Sequence, residues 1–147
     1  GQAMVKTLVI LVLLFDGNLV KEPLHFQSLV SVSDCFDYAK MHPSPLPPDE
    51  WKESNKIVGC QSRAHVDCNL DSNGNFMLRG GADAQIVQGL MSITAIAVNG
   101  MTPGSVLKMT PNYAEKMGIQ SSLTPSRANG FLNMFRRVQE EAKNLME

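Results

Sequence analysis

Residues 56–62 read KIVGCQS, and they hold the best-placed candidate nucleophile of the chain. The apolar pair Ile57 and Val58 leads into the cysteine, and a strand-like run, RAHVDC over 63–68, leads out. This order places Cys60 in a turn at the mouth of a strand. Gly59 before it permits a positive φ or a close backbone approach that other residues resist. A thiol attacks as its thiolate and needs access together with polar or cationic neighbours. Gln61 and Ser62 supply donors at such a turn. The chemistry open to that sulfur is exchange with another sulfur, where thiolate fraction, leaving group and access set the rate. Cysteine is also among the residues most often buried as an inert small hydrophobe, and the local pattern leaves both readings open.

Other uses of the thiols can be weighed by distance and count. Cys60, His65 and Cys68 are close in sequence, but an extended segment at 3.3 Å per residue separates the two cysteines by about 26 Å. Zinc ligands sit ~2.0–2.3 Å from the ion, so a shared metal requires the chain to fold back, and no turn signal lies between them. The same separation argues against a Cys60–Cys68 disulfide. A thiol enzyme would need a base beside Cys60, and no motif brings His42 or His65 there. A cluster scaffold commonly uses up to about four thiolates, whereas the chain holds three cysteines, Cys35, Cys60 and Cys68.

The whole chain sets further bounds. Its 147 residues suit about one domain. A formal charge of −1 with interspersed acids and bases gives no support for a nucleic-acid surface or a polybasic membrane patch. An odd number of cysteines makes no disulfide framework and fits a reducing compartment. Near the start, Lys6 precedes TLVILVLLF, an apolar run shorter than the about 20 residues a membrane-spanning helix needs. It resembles the start of a signal peptide without a clear small-residue cleavage site, and a buried helix or strand is expected there. Gly1, Gln2 and Ala3 ahead of Met4 read as a remnant of expression.

The elements that must position Cys60 are legible from pattern. A short helix is expected over 34–41. Four prolines within residues 43–48 stop it and favour an extended connection. Asp49 can cap one helical turn. Trp51 is expected to anchor packing near the cysteine loop. Residues 64–70 and 75–80 read as two strands joined by Asp71, Ser72, Asn73 and Gly74, with Asn-Gly a strong hairpin signal. Alternation puts Val66, Cys68 and Leu70 on the buried face, and His65, Asp67 and Asn69 on the solvent face. The apolar stripe Ile86, Val87, Leu90, Met91, Ile93, Thr94, Ala97 and Val98 predicts a helix over 83–98, opened by Asp83 and stopped at Asn99-Gly100. Thr102-Pro103 and Thr124-Pro125 each read as a cap followed by a first helical position. A short helix is expected over 113–117, ending at Gly118. The last helix carries Phe131, Met134, Phe135, Val138, Ala142 and Leu145 on one face. Strands followed by helices make an α+β domain, with a small antiparallel sheet covered by helices on one face.

Three segments occur in one order: VGCQS, then GGADAQIVQG over 80–89 running into LMSITAIAVNG, then LTPSRANGFLNM over 123–134. Together they resemble the SufE-like (SufE/CsdE) sulfur-acceptor family of the SUF iron–sulfur cluster assembly system. The resemblance runs over residues 34–147 as a sulfur-acceptor domain. Residues 1–33 depart from it and are expected to pack on that domain as a divergent segment. The resemblance implies a fold similar to iron–sulfur scaffold proteins. It also implies a sulfurtransferase-type carrier and desulfurase activator rather than a free-standing enzyme, taking persulfide sulfur onto Cys60. No cofactor of its own is implied; the pyridoxal phosphate belongs to the partner, a SufS-like cysteine desulfurase. A SufBCD-like scaffold complex would receive the sulfur, with neither nucleic acid nor membrane as a partner. The compartment would be the cytoplasm, or a plastid or mitochondrion. Gly59, Gln61 and Ser62 would shape the cysteine loop, and Asp83 in the GGADA turn would lie beside it. Arg127, in the first turn of the last helix, would place a positive charge near the sulfur, where the helix N-terminus also favours an anion.

Overall fold

Residues 45–60, 62–111 and 123–146 are described by the computed structural model. The segment 1–33, the helix expected over 34–41, Cys35, His42, Gln61 and the helix expected over 113–117 lie outside the described residues.

The Asn-Gly signal produces its hairpin. Strand β1 (Ala64–Leu70) pairs antiparallel with β2 (Phe76–Ala82), from Ala64 opposite Ala82 to Leu70 opposite Phe76. Asp71 seeds the turn: its Oδ1 accepts from the backbone N–H groups of Asn73 and Asn75. Gly74 supplies the φ of 79° that this turn requires.

The outer edge of β2 is consumed within the fold. Phe76 donates to the Met101 carbonyl at 2.6 Å and accepts from the Gly100 N–H at 3.0 Å. The Asn99 side-chain oxygen accepts from the Leu78 N–H at 2.7 Å. Leu46, in the extended proline-bearing lead-in, donates to the Gly80 carbonyl. Gln88 adds a second donor to that carbonyl and accepts from the Ala82 N–H. An edge left bare would offer a template for another chain.

Helix α1 (Gln85–Val98) lies on β2 and is buried along most of its length from Gly89 to Val98. Gly80 makes room there for the Met91 side chain. Both Thr-Pro pairs cap as expected: Thr102 accepts from the Ser105 N–H ahead of α2 (Pro103–Leu107), and Thr124 accepts from the Arg127 N–H ahead of α3 (Pro125–Leu145). Helix α3 buries Phe131, Met134, Phe135, Val138 and Ala142 against β1 and α2, while Leu145 is half-buried. The result is the expected α+β arrangement of a small antiparallel sheet with helices.

The opposite face of the sheet corrects part of the sequence reading. His65 was expected to face solvent, yet only 4% of its surface is exposed. Trp51 stacks on it with ring centroids 5.1 Å apart, and its Nδ1 contacts Asn55 Oδ1 at 2.8 Å and the Lys52 carbonyl at 3.1 Å. The Arg63 guanidinium also lies over the Trp51 ring, 5.1 Å from its centre. Trp51 is thus an anchor near the cysteine loop, as expected. Asp49 does not act as a cap: it sits inside a 3-10 turn, Pro48–Glu50, whose cap position is Pro47. Arg79 joins that turn to the sheet by pairing with Glu50 and Asp67. Leu70 was expected to be buried and is exposed, since β1 ends there and turns into Asp71.

Trp51 closes this cover through its Nε1, which donates to the Leu46 carbonyl at 2.9 Å. A Cβ on Gly81 would strike both groups. Gly81→Ala is therefore expected to cost about 1–3 kcal/mol, as overpacking does. Urea denaturation followed by the fluorescence of the single tryptophan measures it. A midpoint equal to that of the parent chain would show that the cover is not tightly packed.

Candidate functional site

The cysteine loop hangs between two backbone clamps. On the entry side, the Ile57 N–H donates to the Ala64 carbonyl at 2.8 Å, and Lys56 bridges to His65. Ile57 itself is buried. On the exit side, the Arg63 N–H donates to Asp83 Oδ1 at 3.0 Å and the Arg63 carbonyl accepts from the Asp83 N–H at 3.0 Å. Asp83 was expected to open the long helix. Instead α1 begins at Gln85 with Ala84 at the cap, and no acid lies in its first turn. The carboxylate is spent on the loop, beyond the end of the strand pairing.

Between these clamps, Gly59 adopts φ 83° and Val58 stands 83% exposed. Cys60 is half-buried, with its sulfur turned onto α3. A Cβ placed on Gly130 would sit 3.3 Å from the Cys60 sulfur, so a glycine is what lets the thiol rest on the helix. One stripe of α3, at steps of three and four residues, meets the loop. Asn133 Nδ2 donates to the Gly59 carbonyl at 3.0 Å. Arg137 donates from Nη1 to the Lys56 carbonyl at 3.0 Å and from Nη2 to the Ser54 carbonyl at 2.7 Å. Its Nε is fixed by Glu141 one turn on, at 2.9 Å. One turn before Gly130 on the same stripe lies Arg127. It is half-buried, and its Nη1 is buried with no hydrogen-bond partner among the described residues. Unsatisfied buried donors are few in native proteins and call for an explanation.

The structure thus places Gly59, Cys60 and Ser62 on one loop and Asp83 at its exit, while Arg127 lies in the first turn of α3, one turn before the Gly130 that the Cys60 sulfur faces. Gly130, Asn133 and Arg137 were not singled out by the sequence reading. Their signal was present as a second stripe on the last helix, but its target lies more than 70 residues upstream.

The two described thiols occupy different environments. Cys68 packs against the core on the helix-facing side of β1. Burial pushes its thiol well above the ordinary range, the Glu141 and Asp67 carboxylates push it further, and Arg137 opposes them. It stays protonated and is a poor nucleophile. His65 offers Cys60 no base: its Nδ1 is held between Lys52 and Asn55, and the ring is stacked under Trp51. Among the described residues, no three His, Cys, Asp or Glu side chains gather around one possible ion position.

Comparison with known proteins shows the family and the fold. The family model described as SufE, Fe-S metabolism associated domain, matches residues 31–142. A SufE-like protein of Synechocystis sp., itself uncharacterised, is 37% identical over 128 residues, covering 85% of this chain and 80% of that protein. SufE-like protein 1, chloroplastic/mitochondrial, of Arabidopsis thaliana is 32% identical over 102 residues. That match covers 69% of this chain but 28% of the longer plant protein. The solution structure of a hypothetical protein from Thermus thermophilus has the same fold, with a TM-score of 0.69 at 20% identity over 95% of this chain and 96% of that one.

The environment of Cys68 carries a pH dependence. In the unfolded chain a cysteine ionises near ~8.5, whereas the folded chain keeps this proton to higher pH. Above that pH the native state binds more protons than the unfolded state, so stability falls as pH rises. Stability measured by urea denaturation between about pH 8.5 and 10 should decline more steeply in the parent chain than in Cys68→Ala, by up to about 1.4 kcal/mol per pH unit. Parallel curves would show that this thiol ionises equally in both states.

Proposed function

The chain belongs to the SufE family of iron–sulfur metabolism proteins, and from that premise we propose that it is a sulfur acceptor. It takes persulfide sulfur from a cysteine desulfurase onto Cys60, stimulates that desulfurase, and delivers the sulfur for iron–sulfur cluster assembly. The observation that carries this reading is the seat of Cys60. The sulfur is half-buried over Gly130, on a loop clamped at both ends and fastened to α3. A carrier must keep its cargo from oxidants and small thiols and still present it, and such a seat serves the first need without closing off the second.

In the transfer step the Cys60 thiolate attacks the terminal sulfur of the desulfurase persulfide. A sulfur–sulfur bond forms to Cys60 as the bond to the desulfurase cysteine breaks, and that cysteine leaves as a thiolate. The exchange needs no outside oxidant or reductant. Gly59 sets the turn that aims the sulfur, Gln61 and Ser62 follow it in sequence as polar donors, and Asp83 fixes the loop exit through Arg63. Arg127, with a buried donor one turn from Gly130, supplies positive charge for the sulfur anion formed. The pyridoxal phosphate that releases sulfur from cysteine resides in the SufS-like partner, and the receiver is a SufBCD-like scaffold. No helix among the described residues is long and apolar enough to cross a membrane. The site of action is the cytoplasm or, in a eukaryote, an organelle, as the name of the plant relative indicates for that protein.

Mass spectrometry after incubation with a cysteine desulfurase, pyridoxal phosphate and cysteine tests this. The expected product carries one added, reductant-labile sulfur on Cys60; Cys60→Ser abolishes it and Cys68→Ser retains it. Sulfur on Cys68 in the Cys60→Ser protein, or iron bound in place of sulfur, contradicts the assignment. Arg127→Ala should slow sulfur acceptance by about tenfold, equivalent to ~1.4 kcal/mol, with Arg127→Lys partly restoring it. A folded Arg127→Ala protein that accepts sulfur at the parent rate removes this residue from the site.

A further inference from the structure

Ile57 and Val58 take opposite directions at the mouth of the cysteine loop. Ile57 is 2% exposed, and its backbone N–H donates to the Ala64 carbonyl. Val58, the next residue, is 83% exposed, the most of any large apolar side chain among the described residues. Both neighbours impose this outward stance: Ile57 is anchored in the core, and the Gly59 carbonyl accepts from Asn133. Exposed apolar residues scattered singly are ordinary, and Leu70, Leu107 and Met146, at the ends of β1, α2 and α3, are of that kind. Val58 differs by its place. It stands two residues before Cys60, so the two α-carbons lie within about 7 Å of each other.

Beside Val58 the surface dips into an open hollow walled by Ile57, Val58 and the α3 residues Asn133, Arg136, Arg137 and Glu140. The two guanidinium groups there differ. Arg137 is fully engaged within the fold, with Glu141 and the carbonyls of Ser54 and Lys56. Arg136 is exposed, is in no ion pair among the described residues, and makes one long donation of 3.4 Å to Asn133. A sulfur–sulfur bond spans only about 2.05 Å. A protein that offers its persulfide to Cys60 must therefore close over the loop to contact, and in doing so it covers a valine this near.

From this we infer that Val58, with Arg136 beside it, is the docking anchor for the sulfur-donating desulfurase, whose matching surface is an apolar recess edged by a carboxylate. The inference deepens the sulfur-acceptor reading and rests on it for the identity of the occupant. Covering the valine takes apolar surface out of water and adds affinity. Arg136 at the rim acts on encounter rate and on the choice of partner. Neither side chain touches a reacting atom; they decide which protein reaches Cys60, not how the sulfur moves.

Surface plasmon resonance of the full chain, with Cys60 reduced, against a cysteine desulfurase holding its pyridoxal phosphate measures the contact before any sulfur moves. Val58→Ser is expected to raise Kd about tenfold, or ~1.4 kcal/mol. Val58→Leu keeps the apolar surface and should stay near the parent value. Arg136→Glu should slow association, and its difference from the parent should shrink as salt is raised. Iodoacetamide should alkylate Cys60 of Val58→Ser at the parent rate, and the melting temperature should hold, because an exposed side chain supports neither the core nor the seat of the thiol. With cysteine supplied, Val58→Ser should need about tenfold more desulfurase for half-maximal sulfur uptake and reach the parent rate at saturation. A folded Val58→Ser protein that binds the desulfurase with the parent Kd overturns the anchor. So does self-association of the free chain that Val58→Ser abolishes, which would assign this face to a second copy. A chain that binds through Val58 yet takes no sulfur would remove the sulfur-acceptor reading and leave the docking surface standing. Sulfur uptake by Val58→Ser at the parent half-saturation would do the reverse.

Discussion

Everything at the site depends on a mismatch between a strand pair and the loop that enters it. The backbone pairing of Ile57 with Ala64 closes the loop at its base, and the Arg63–Asp83 pair closes it at its exit. Among the described residues, the carbonyls of Ser54, Lys56 and Gly59, just before and between these clamps, accept from side chains of α3. Helix α3 supplies donors to them from side chains rather than backbone, in bonds that lie open to solvent. This is why one helix face carries Asn133 and Arg137 while the adjoining face carries Phe131, Met134, Phe135 and Val138. The apolar face fixes where the helix lies on β1. The polar face then holds the loop, and the glycine between them leaves space for the sulfur.

The same economy of backbone groups explains the remainder of the fold. The outer edge of β2 is satisfied by the turn after α1, by Gln88 on α1 and by Leu46 in the proline-bearing lead-in. Those attachments bring the segment 46–55 across the far face of the sheet, where Trp51 covers His65 and Gly81. The cover and the cysteine loop therefore belong to one continuous stretch of chain. Arg63 links them directly, pairing with Asp83 through its backbone and lying on Trp51 with its side chain.

Local chemistry was readable where it is local. Strand β1 was expected over 64–70 and occupies those residues, because alternation and the Asn-Gly turn fix both register and length. Strand β2 runs two residues past its expected end, through Gly81 and Ala82, which pair with His65 and Ala64. The Thr-Pro caps and the apolar faces of α1 and α3 were legible for the same reason. His65 was placed on the correct side of the strand but in the wrong environment, since its cover, Trp51, comes from a segment that no pattern in β1 announces. Asp83 looked like a helix-opening acid because its partner, Arg63, lies 20 residues upstream. At the site, Cys60, Asp83 and Arg127 could be selected by type and motif. Asn133 and Arg137 could not, because a polar residue on a helix acquires meaning only from the backbone it faces.

If Cys60 is the covalent seat of transferred sulfur, the sulfur itself can be followed there. Radiolabelled sulfur supplied as cysteine to a cysteine desulfurase, in the presence of this chain, tests that claim most directly. After separation without reductant, the label should travel with this chain, leave on adding a thiol reductant, and map to the peptide containing Cys60. Label that stays on the desulfurase alone, with this chain folded and Cys60 reduced, would contradict the account.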